Sequence, residues 1–135
     1  MTSFFAPNGA GDLLSRYSFI EPLLTGRRVL EVGAARRTDG RSALALAERG
    51  AATVLSVEDD GGGLGGAAEL ASHPFVQFRT VPLEELPRNA FDLVLIPDGA
   101  QLATSPERLA ALAALLSPRG HLVAAIEAAG GRIEE

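Results

Sequence analysis

The chain has 135 residues, a formal net charge of −5, 47% hydrophobic and 21% charged residues, and no cysteine. That length suits one domain around a single core, and the composition is that of a globular rather than a disordered chain. The acidic balance argues against nucleic acid or an anionic membrane as the main partner. Without cysteine there are no disulfides, thiol nucleophiles or thiolate metal sites. All twelve basic residues are arginine, so Walker-type phosphate binding, Schiff-base chemistry and a lysine general base are excluded as well. No charged-then-apolar leader or apolar run of membrane length is visible, which predicts a soluble cytoplasmic protein.

In chain order, Leu13, Leu14, Tyr17, Ile20, Leu23 and Leu24 recur at spacings of three and four. This predicts an N-terminal helix with Asp12 as cap and Gly26 as its end. Arg28-Val29-Leu30-Glu31-Val32-Gly33 reads as a buried strand closed by glycine. Ser42 to Glu48 is Ala/Leu-rich and helical, with Gly50 as a stop. Thr53 to Glu58 is a second strand. Gly61 to Gly66 is the one low-complexity patch and leads into a short helix ending before His73-Pro74. With no lysine and three acids (Glu58, Asp59, Asp60) just before it, that patch is not a phosphate cradle.

Val76 to Val81 alternates and predicts a half-exposed strand near an edge. Phe91 to Ile96 predicts a central strand. Ser105-Pro106-Glu107 opens a helix by cap and first-turn proline, with Leu109, Leu112, Leu115 and Leu116 as its buried stripe and Pro118 and Gly120 as its end. Leu122 to Ile126 is a fifth strand. Residues 1–127 therefore make one α/β domain, with 128–135 as a tail or the start of a linker. Alternation of strands and helices implies right-handed crossovers: a three-layer, Rossmann-like parallel sheet of about five strands with helices on both faces.

Ligands of such sheets sit beyond the carboxyl ends of the strands, where strand order reverses. Gly33 and Gly40 flank the loop after the first strand and would let backbone approach a ligand closely. Glu58 ends the second strand, where a carboxylate can accept both hydroxyls of a ribose. Arg36 and Arg37 in the first loop either pair with a substrate carboxylate or form a solvated loop. His73 and His121 have no second ligand at metal spacing and read as structural, so no metal site is expected.

Three stretches carry a resemblance. Gly26-Arg27-Arg28-Val29-Leu30-Glu31-Val32-Gly33 resembles the opening strand of class I S-adenosylmethionine-dependent methyltransferases. Leu83-Glu84-Glu85-Leu86-Pro87 followed by Phe91-Asp92-Leu93-Val94-Leu95 resembles that family's approach to its fourth strand, and Leu115 to Val123 its fifth helix–strand junction. Arg16-Tyr17 is similar to the preceding helix of some members. The resemblance covers roughly residues 13 to 127. It implies S-adenosylmethionine as cofactor, with Glu31 and Gly33 by its methionine part, Ala35 and Gly40 in the loop that binds it, Glu58 on the ribose, Asp59 beside the adenine, and Asp98 near the methyl-transfer site. Bland alternatives stand beside these: Glu31 holding the first loop through backbone amides, and Asp98-Gly99 as an ordinary turn.

The pattern also departs from the family. Ala35 takes the place of a second glycine, two arginines and an insertion of about three residues precede Gly40, and Pro82 replaces the acid expected after the third strand. The chain ends right after strand five, before the family's terminal antiparallel hairpin. Its strand at 122–126 would then be an apolar edge, expected to pair with a second copy in a homodimer or with a following domain. The leading expectation is a methyltransferase-like domain. The alternative is a non-catalytic interaction or dimerisation module, a pseudo-methyltransferase within a longer protein. A more distant one is a receiver-like signalling domain, in which Val54 to Asp60 and Phe91 to Asp98 would be the first strand and the phosphoacceptor strand.

Overall fold

The computed structural model describes residues 17–59, 63–67, 72–97, 105–124, 127–128 and 131–132. Five strands, β1 (Arg28–Val32), β2 (Thr53–Glu58), β3 (Val76–Thr80), β4 (Phe91–Ile96) and β5 (Leu116–Ala124), form one sheet in the order β3-β2-β1-β4-β5. Every pairing in it is parallel, as βαβ crossovers require. The α/β class, the parallel sheet and its strand number are thus as expected. β3 lies at one edge, with only Val76 of its five residues buried, and β5 lies at the other.

Strand alternation sorts the side chains into two cores. One face buries Val29, Val54, Leu93 and Leu95 against Tyr17, Ile20 and Leu24 of the N-terminal segment and against Ala43 and Leu46 of helix α2 (Arg41–Glu48). The other buries Leu30, Val32, Val57, Val94 and Ile96 under Leu83 and Leu86, and under Leu112 and Leu115 at the end of helix α3 (Pro106–Ala113). Helices therefore cover both faces.

Several elements differ in detail from the sequence reading. The described part of the N-terminal helix is a 3-10 helix over Ser18–Leu23 with Pro22 inside it, where proline has no N–H to donate to the preceding turn. Leu13 and Leu14 lie outside the described residues. The first loop is partly helical: α1 (Ala35–Thr38) precedes α2, and two left-handed residues, Asp39 and Gly40, separate them. The helix α3 begins as expected, with Ser105 Oγ accepting from the Arg108 amide at 3.2 Å. It ends earlier, at Ala113, and of the expected buried stripe Leu109 is 42% exposed while Leu112 is fully buried.

Strand β5 starts at Leu116 rather than Leu122. Its pairing with β4 jumps from Phe91↔Leu116 to Leu93↔His121, so residues 117–120 bulge out. Ala125 and Ile126 lie outside the described residues. Beyond β5, β6 (Glu127–Ala128) and β7 (Gly131–Arg132) form an antiparallel pair separate from the main sheet. The receiver-like alternative is overturned by the strand order: it needs β2 beside β4, and β1 lies between them.

Candidate ligand crevice at the carboxyl edge of the sheet

Strand order reverses between β1 and β4, so the outlet of β1 is the switch point of the sheet. β1 and β2 run parallel in the register Val29↔Val54 through Val32↔Val57, so their exits lie side by side at one edge of the sheet. Gly33 turns the chain there with φ +88°, and its amide donates to Val57 O at 2.9 Å. A Cβ built on Gly33 would meet nothing within 4 Å, so bare backbone borders open space at the outlet.

Ala35, fully buried, opens α1 beside this turn. Gly40 closes the segment, its amide donating to Ala35 O at 2.9 Å. Glu58 stands at the tip of β2, 3% exposed. Its Oε2 accepts from the Arg36 backbone amide at 2.8 Å, while its Oε1 lies 3.9 Å from Arg36 Nη2, beyond hydrogen-bond reach. Asp59 follows, and both its carboxylate oxygens accept from Arg108, at 2.5 and 3.3 Å. Gly33, Ala35, Glu58 and Asp59 are therefore neighbours at one rim, with Gly40 at the end of the same loop. Asp98 lies outside the described residues.

Glu31 is placed differently. Alternation turns its side chain onto the face of Val29 and Val54, where it is fully buried. Tyr17 Oη and Ser56 Oγ donate to its two oxygens, each at 2.6 Å. Ser42 is a further hydroxyl partner and itself bonds Thr38 Oγ1 at 3.1 Å. Burial pushes the Glu31 carboxyl above the ordinary carboxylate range. The three hydroxyls pull it back, and the nearby Glu58 charge adds to the rise. Burial also raises the Tyr17 hydroxyl, with the charge of Glu31 and its hydrogen bond adding to the effect. Thus Glu31 knits the N-terminal segment to β1 and β2, using side-chain hydroxyls instead of backbone amides.

The two loop arginines separate in role. Arg36 reaches Gly63 O at 3.2 Å besides facing Glu58. Arg37 is partly buried, its charge opposes the rise at Tyr17, and its Nε is buried with no hydrogen-bond partner among the described residues. His73 Nδ1 accepts from the Phe75 amide at 3.1 Å, a local turn contact. Among the described residues no group of His, Cys, Asp or Glu could hold a metal ion, and no helix is long and apolar enough to cross a membrane.

Two site features escaped the sequence reading. Ser56 was in principle visible, because setting 29–33 beside 54–58 already places Glu31 opposite it. Arg108 carried no such signal, since its partner Asp59 is 49 residues away across an intervening strand.

Solved structures with the same arrangement decide the fold. An S-adenosylmethionine-dependent methyltransferase from Mesorhizobium loti superposes with a TM-score of 0.61 at 21% identity, over 84% of this chain and 54% of that one. Protein arginine methyltransferase 10 from Arabidopsis thaliana gives 0.56 at 22% identity, over 76% and 31%. The fold is that of class I S-adenosylmethionine-dependent methyltransferases. The [4+2]-cyclase SpnF is also similar, with a TM-score of 0.64 at 29% identity over 84% of this chain and 44% of that one. This chain thus spans about half, or less, of the length of these solved structures. No protein-family model matches the sequence, and neither does any curated protein.

Proposed function

We propose that this methyltransferase-fold domain binds S-adenosylmethionine in the crevice between the exits of β1 and β2. The observation that carries the reading is the parallel register that brings Gly33 and Glu58 to one outlet, with open space in front of Gly33. Bare backbone there allows close approach of a ligand. The Oε1 of Glu58 has its guanidinium neighbour at 3.9 Å, so a ribose hydroxyl would be a closer and better-directed partner. Glu31 contributes indirectly, by fixing the strand from which Gly33 emerges.

When bound, this cofactor supplies an electrophilic methyl group on sulfur. The chain's own task would be to orient the ligand and exclude water, a proximity effect that needs few acid–base side chains. Titration with S-adenosylhomocysteine by calorimetry tests the reading. The native chain is expected to bind, and Glu58→Gln to weaken binding roughly 10- to 100-fold, the loss of a hydrogen bond to a charged acceptor. Glutamine can still accept from the Arg36 amide, so the loop should stay folded.

A second reading, a non-catalytic interaction module, is favoured by one observation: both acids at the β2 tip face arginines of the chain itself. Absence of any binding heat from the native chain would select it.

A further inference from the structure

Among the described residues, the hydrogen bond and the ion pair of the Glu58 carboxylate both go to Arg36. The backbone amide donates to Oε2 at 2.8 Å, and the guanidinium Nη2 lies 3.9 Å from Oε1. These contacts differ in kind. The amide is part of α1 and is fixed with it, whereas the guanidinium rides on a long side chain. That side chain is 41% exposed against 4% for Glu58, so the arginine is the outer member of the pair and the carboxylate the inner one.

Arg36 is tied down on its other side as well. Its Nη1 donates to Gly63 O at 3.2 Å, and a Cβ built on Gly65 would meet its Cγ at 3.4 Å. The side chain thus runs from α1 past the tip of β2 to residues 63–65. A ligand hydroxyl can donate to Glu58 only by coming within about 3 Å of a carboxylate oxygen. With Oε2 already accepting from the amide, Oε1 is the oxygen left for it, and the guanidinium stands beside that oxygen. Its hold is weak: 3.9 Å is too long for a hydrogen bond, and a half-exposed cation is well screened by solvent.

We propose that the Arg36 side chain is an autoinhibitory strap over Glu58, which a nucleoside ligand must displace before its ribose hydroxyls reach the carboxylate. The inference rests on the binding reading above. Only the unstrapped fraction of the chain binds, so the apparent affinity falls in proportion to the fraction that is strapped.

The test is calorimetric titration of the full chain with S-adenosylhomocysteine, comparing native protein, Arg36→Met and Arg36→Lys, each first checked for native circular dichroism. Methionine keeps helix propensity and an unbranched stem against Gly65 but removes the charge and the donors. The backbone amide still serves Glu58 in every variant. Arg36→Met is expected to bind about 3- to 10-fold more tightly than the native chain. Arg36→Lys should gain less, since lysine keeps the charge but loses the fork that faces both Glu58 and Gly63. A second measurement needs no variant. By nitrogen-15 NMR, rotation of the native Arg36 guanidinium should be slowed in the ligand-free chain and faster at saturation. Binding by Arg36→Met alone would also support the strap. Unchanged or weaker binding by Arg36→Met, or a guanidinium equally restricted at saturation, overturns the strap while leaving the crevice reading intact. No binding by either the native chain or Arg36→Met overturns both.

Discussion

Gly120 shows how one residue type can be dictated by its neighbours. A Cβ there would lie 2.9 Å from Leu116 Cδ2, 3.2 Å from Leu116 Cβ and 3.0 Å from the carbonyl oxygen of Phe91. The leucine methyl can move, but the backbone oxygen of a central strand cannot. Gly120→Ala should therefore cost about 1–3 kcal/mol of stability by urea unfolding. Glu31 makes a different prediction, one of sign. Its carboxyl is raised by burial, so its contribution to stability is fully present below the ordinary glutamate range and is lost as pH rises through the folded-state value. Glu31→Gln should flatten that slope and lie within about 1 kcal/mol of the native chain near pH 7. Melting temperatures of both proteins from pH 4 to 8 would check it, and a variant penalised most at high pH would contradict it.

At the scale of elements, the strands were legible because their apolar runs are short, β-branched and bounded by glycine or proline. β2 and β4 have the expected bounds. The first loop was less legible. An insertion between Gly33 and Gly40 could be counted, but its folding into α1 depends on Glu58, a tertiary partner, accepting the Arg36 amide. Likewise the leucine spacing from 109 to 116 suited one long helix, yet pairing with Phe91 takes Leu116 into the sheet ahead of the β4–β5 bulge. Local periodicity cannot register a bulge set by a strand far along the chain.

The amino ends of the strands carry an element-scale contact of their own. Asp92 of β4 accepts from the Arg28 amide at 2.9 Å, from Arg28 Nε at 3.0 Å and Nη2 at 2.9 Å, and from Ser117 Oγ of β5 at 2.8 Å. The Arg28 side chain and amide hold the Asp92 carboxyl well below the usual range. Its contribution is present above the ordinary aspartate value and is lost as pH falls toward the folded-state one. Asp92→Asn should lower the melting temperature at pH 7, and the gap to the native chain should shrink below about pH 4.

For the whole molecule, the order β3-β2-β1-β4-β5 sets a gradient of protection. β1 is flanked on both sides and four of its five residues are buried, whereas β3 is an edge strand with one. Native-state amide exchange should be slowest in β1 and β4 and faster in β3 and β5. Faster exchange in β1 than in β3 would contradict the order. The fold, and with it the adjacent exits of β1 and β2, were readable from the alternation of strands and helices, because such units wind into a right-handed parallel sheet. The state of the crevice was not, because it depends on which arginine meets which acid, and sequence spacing carries no such information.

The Arg28–Asp92–Ser117 knot has a consequence for how such a domain can change. It joins β1, β4 and β5 at the rim remote from Gly33 and Glu58, so the sheet is bound like a book at its spine while the opposite margin stays open. Loops along that margin can be lengthened, recharged or exchanged with little strain on the binding, and new chemistry can be written there without unpicking the strands beneath.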